Sequence, residues 1–120
     1  MRNRKTFLAA AVVALVALSG AVRPAWAQAP LSEEQLLERI EKGGSAADYK
    51  ALAAYYHGEA AATQKMATEH EAMAQRFANV GGKGDWATHC RSLVSYYQKE
   101  AAEYRMLAEM NDKEAAAAGN

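Results

Sequence analysis

Leu52-x-x-Tyr55-Tyr56-x-x-Glu59-Ala60-Ala61 recurs as Leu93-x-x-Tyr96-Tyr97-x-x-Glu100-Ala101-Ala102, 41 residues further on. Apolar and aromatic residues at i, i+3, i+4 and i+8 mark one face of a helix, so each copy sits on a helix of its own. Alanine dominates the chain around both copies, and no proline follows Pro30. That composition favours helix over sheet. Two copies are too few for a solenoid, and the repeat predicts a pseudo-symmetric antiparallel helical hairpin in an all-α fold.

The heptad register extends the repeat into a packing plan. Alanine stands at 53, 60, 67 and 74 on one helix and at 87, 101, 108 and 115 on the other, with Val94 completing that series. With these taken as a positions, the d positions are Tyr56, Thr63, His70 and Phe77, facing Cys90, Tyr97, Tyr104 and Asn111. Antiparallel folding then sets an a residue against a d residue in every layer: Phe77 with Ala87, Ala74 with Cys90, His70 with Val94, Ala67 with Tyr97, Thr63 with Ala101, Ala60 with Tyr104 and Tyr56 with Ala108. Small against large lets the axes approach towards the lower end of the usual range of about 8 to 10 Å.

The hairpin's limits are punctuated. Ser32 and Gln35 form a capping-box pattern, with Leu31 placed to staple onto Leu36, and a short first helix ends at Gly43-Gly44. Ser45 caps the second helix, with Asp48 three residues on. Helical periodicity then runs to Val80-Gly81-Gly82-Lys83-Gly84, where the chain turns, and Asp85 is expected to cap the third helix. The predicted helices are about 32–42, 46–79 and 86–115, with a tail fraying from Ala116.

One flank of the seam is apolar, with Leu52, Met66, Met73, Trp86, Leu93 and Leu107 at g positions; the other carries His57, Gln64, Glu71, Arg91, Gln98 and Arg105 at e. A two-helix layer with an apolar side needs a cover. The first helix, about 15 Å long, reaches along roughly a third of a helix of about 50 Å. The shortfall leads to an expectation of self-association, two hairpins forming a four-helix bundle as a homodimer, or of another periplasmic protein or an apolar ligand on that face. Glu59 and Glu100, also at g, read as rim carboxylates accepting a tyrosine hydrogen bond or an arginine pair.

At the N-terminus, Arg2, Arg4 and Lys5 precede an apolar run from Phe7 to Val22 and then Ala25-Trp26-Ala27. Basic start, apolar run and small-x-small ending make a Sec-type secretory signal peptide, expected to be cleaved after Ala27. Residues 28–120 then form a single helical-hairpin domain in the periplasm or outside the cell. Removing 1–27 takes four of the 14 basic residues and none of the 14 acidic ones, leaving a net charge of −4. Such a chain lacks the electrostatic footprint of a nucleic-acid binder or a basic membrane-binding face.

Cys90 is the only cysteine, which excludes an internal disulfide, a CxxC redox pair and c-type haem attachment. None of His57, His70 or His89 has a glutamate three residues earlier, so the Glu-x-x-His di-iron motif is missing, as are HExxH, GxSxG and a P-loop. A non-enzymatic role follows as the expectation. The one ligand-like constellation is Met66, His70 and Met73 on the second helix, Cys90 on the facing one and His89 on the border of the apolar flank. Thioether, imidazole and thiolate are the donors that Cu(I) prefers, whereas the same methionines and histidine also suit plain core packing.

Overall fold

The computed structural model describes residues 29–119, and three helices account for most of them. α1 spans Glu33–Glu41, α2 Ala46–Ala78 and α3 Gly84–Ala118. No strand occurs among the described residues. The signal-peptide reading falls on residues 1–27, outside the described residues.

The first two helices begin where their caps dictate. The Gln35 backbone N–H donates to the Ser32 hydroxyl at 3.2 Å, while the Ser32 N–H donates to the Gln35 side chain at 3.0 Å. Ser45 and Asp48 repeat the arrangement for α2. Each box satisfies two of the N–H groups that a helix start leaves orphaned. α1 stops because Gly43 adopts φ +102°, a conformation with little cost only for glycine, and the N–H groups of Gly43 and Gly44 both return to the Ile40 carbonyl.

At α3 two expectations fail. The helix starts at Gly84 rather than after Asp85, and Lys83 holds the cap position without a side-chain bond. Gly82 turns the chain early, at φ +76°, so Asp85 lands inside the first turn, where its charge still opposes the positive end of the helix dipole. The tail does not fray at Ala116. Alanine is the best helix former and nothing interrupts it before Gly119, whose N–H donates to the Ala115 carbonyl at 3.1 Å.

α2 and α3 pack as the antiparallel hairpin. Every a position is buried: Ala53, Ala60, Ala67 and Ala74 on α2; Ala87, Val94, Ala101, Ala108 and Ala115 on α3. Of the d residues, Tyr56, Thr63 and Cys90 are buried, and His70, Phe77, Tyr97, Tyr104 and Asn111 are half-buried. Cross-helix neighbours fix the register: Phe77 lies 5.6 Å from Trp86 between ring centroids, and Tyr56 stacks on Tyr104 at 6.1 Å. On the polar flank, His57 Nε2 is 3.0 Å from an Asp112 carboxylate oxygen.

α1 lies along one end of α2. Leu36 is buried in a cluster with Leu52, Tyr56 and Ala108, and Leu31 and Ile40 pack around it. The Tyr56 hydroxyl donates to the Glu33 carboxylate at 2.8 Å, and Arg39 lies 3.7 Å from Asp48. Burying one leucine is worth roughly 1.5–3 kcal/mol, which makes Leu36 the anchor of this contact.

Candidate functional site

The flank that α1 leaves open is the most distinctive surface of the described residues. Leu52 is buried beneath α1, but further along the same stripe Met66 is 41% exposed and Trp86 58% exposed, and Leu107 is exposed as well. Met73 and Leu93 are half-buried. The surface is wider than the g positions alone indicate. Tyr96 (59% exposed) and Met110 stand at c, the neighbour of g around the helix, and add to the same side of α3. The heptad register carried that signal, in the c positions beside the g stripe.

Next to α1 the flank turns aromatic and acidic. Tyr55 meets Tyr56 edge-on at 5.5 Å, and the Tyr56–Tyr104 stack continues the cluster across the seam. Burial, followed by the hydrogen bond to Glu33, pushes the Tyr56 phenol up to about 12. Burial and then the charges of Glu100, Glu59 and Glu33 raise Tyr104, while burial, Glu59 and Glu33 raise Tyr55. These phenols stay protonated, and that of Tyr56 donates to Glu33. The rim carboxylate that accepts from a tyrosine is Glu33 of α1, and among the described residues neither Glu59 nor Glu100 forms an ion pair. Sequence spacing had no means of finding Glu33, because its bond to Tyr56 depends on how α1 folds back.

The soft-donor residues are spread over this flank and the seam. His70 turns its ring to Tyr97, 5.4 Å between centroids, on the side of its layer away from Cys90. Helical side chains lean towards their own N-terminus, and on antiparallel helices this carries His70 and Cys90 in opposite directions. Cys90 is buried in the seam as a free thiol. His89 is exposed, bordering a shallow depression with Asp85 and Trp86. Met66 and Met73 flank His70 one turn before and after it. The Nδ1 atom of His70 is buried without a hydrogen-bond partner among the described residues. Among the described residues no three His, Cys, Asp or Glu side chains group at metal-ligand range, so a metal held here would have to draw on the methionine sulfurs.

A comparison with protein-family models finds no match. Comparisons with the curated proteins and with solved structures find none either, and the reading rests on the geometry above.

Proposed function

We infer that this chain works by association and not by catalysis, with a second copy as the partner, two hairpins meeting face to face as a four-helix bundle. The observation that carries this reading is the uncovered apolar flank of Met66, Trp86, Tyr96, Leu107 and Met110 beside a helix, α1, too short to shield it. Exposed apolar surface of this kind, rimmed by polar residues, marks interaction sites in soluble proteins. The reading of residues 1–27 as a Sec-type signal cleaved behind Ala27 supports an encounter in the periplasm or outside the cell. Sedimentation of the chain beginning at Gln28, at micromolar concentration with Cys90 reduced, is expected to give a dimer. A monomer throughout would remove the reading.

A second reading, Cu(I) handling, is favoured by one observation: the buried, partnerless Nδ1 of His70 between Met66 and Met73. Buried imidazole nitrogens are ordinarily satisfied, and a soft metal is one way to satisfy this one. Cys90, which leans away from His70 along the seam, would have to turn towards it to supply the only anionic soft donor, with His89 at the border. This reading expects one Cu(I) per chain in competition with a chelator, weakened most by Cys90→Ser and also by Met73→Leu, which preserves volume. Binding that survives both Met66→Leu and His70→Ala rejects it.

A further inference from the structure

The open flank is self-complementary about one level of the hairpin, where Met73 on α2 and Leu93 on α3 stand half-buried at g. Seven residues either side of Met73 lie Met66 and Val80, both exposed apolar side chains. At c, on the rim beside them, Glu69 stands four residues before Met73 and Arg76 three after. On α3 the same reading about Leu93 sets Trp86 against Glu100 at seven residues, His89 against Tyr96 at four and three, and Lys83 against Glu103 at ten. Asp85 and Lys99, at f and one step further from the face, also fall on opposite sides of Leu93, at eight and six. Glu69 is held only by Lys65 of its own helix, at 3.8 Å, and among the described residues Arg76, Lys83, Glu100 and Glu103 are in no ion pair.

The geometry points to an inverted dimer, in which a second copy turned end over end seats on the half of the flank nearest the glycine turn, with the twofold axis crossing at Met73 and Leu93. α2 then lies antiparallel on its counterpart, and α3 on its own. Positions g face the second copy and positions c form the rim. Met66 meets Val80 of the second copy, Glu69 pairs with Arg76, and Glu103 with Lys83. Glu100 arrives over Trp86, where Lys83 already lies 5.4 Å from the ring centroid, so this charge is answered as well. The position of α1 selects the same orientation independently. The reversed copy covers residues 64–82 of α2, about 27 Å, and its turn stops about two helical turns short of Tyr56, where Glu33 docks. Leu107 and Met110 stay outside the overlap. A copy laid with both turns at the same end would instead stack α1 on α1, set Glu59 against Glu103 and press Met66 onto Glu100.

This inference rests on the association reading, whose second copy it orients. The test places single cysteines in the chain beginning at Gln28 with Cys90→Ala. Met73→Cys is expected to form a disulfide between copies under mild oxidation, because the axis sets position 73 on itself. Lys83→Cys is expected to form little, since the two turns stand roughly 30 Å apart. Where the protein sediments as a dimer, any result in which Met73→Cys does not exceed Lys83→Cys overturns the inverted arrangement and leaves association standing. A chain that sediments as a monomer overturns both. The charges give a second measurement, with Cys90 reduced. Every contact occurs twice about a twofold axis, so Glu69→Arg and Arg76→Glu should each weaken self-association roughly tenfold at low salt. An equimolar mixture of the two variants should recover the dimer, because each chain then presents the sign that the other lacks. A mixture that associates no more tightly than the separate variants overturns the pairing and the axis with it.

Discussion

At the scale of single residues, Tyr56 joins the parts of the molecule. Its ring is buried in the α1 contact, it stacks on Tyr104 across the seam, and its hydroxyl donates to Glu33. A phenol raised to about 12 in the folded chain and near 10 in the unfolded one binds its proton more tightly when folded. Its contribution to stability is therefore complete below pH 10 and is lost as the pH rises from 10 through 12. Thermal melting between pH 9 and 12 should show a steeper fall in Tm for the wild type than for Tyr56→Phe. The variant itself should cost about 1 kcal/mol at neutral pH through the lost hydrogen bond. A slope above pH 10 that is the same in both proteins would mean that Tyr56 does not carry this dependence. The repeat made the tyrosine pair legible in the sequence; the carboxylate that completes it was not, because Glu33 lies 23 residues away and arrives only through the fold of α1.

At the scale of elements, the hairpin was legible because two periodicities agree. Alanine every seven residues marks the seam, and glycines mark the turns, so element number, order and register could be read before any contact was known. The boundaries of α3 were less legible: the turn at Gly82 displaces the start to Gly84, and the alanine tail stays helical for want of any stop signal. The register has a direct mutational test. Ala60 and Ala101 are buried in the seam, whereas Ala62 faces solvent. Leucine at either seam position forces the helices apart and should destabilise by about 1–3 kcal/mol, while Ala62→Leu should change stability by less than about 0.5 kcal/mol in chemical denaturation. Equal tolerance at all three positions would reject the packing plan.

At the scale of the whole molecule, the seam that permits close packing also limits the core. Among the described residues no large side chain is fully buried; the interior is a line of alanines with leucine, tyrosine and cysteine at its edges. Small domains of this kind sit near the margin of stability, and anything that binds the folded form adds to it. The exposed methionines, leucine and aromatic residues of one flank are the surface on which such binding gains most. The soft-donor residues were legible as types at helical spacing, but the sequence did not show that His70 turns to Tyr97 and away from Cys90, since side-chain direction on antiparallel helices belongs to the folded pair. The most direct test of association through the apolar flank compares two charge insertions on α2, Met66→Glu on that flank and Gln64→Glu on the polar one, by sedimentation equilibrium at micromolar concentration. The account predicts a dimer for the wild type and for Gln64→Glu, and dissociation to monomer for Met66→Glu; a monomeric wild type, or a dimer indifferent to Met66→Glu, would contradict it.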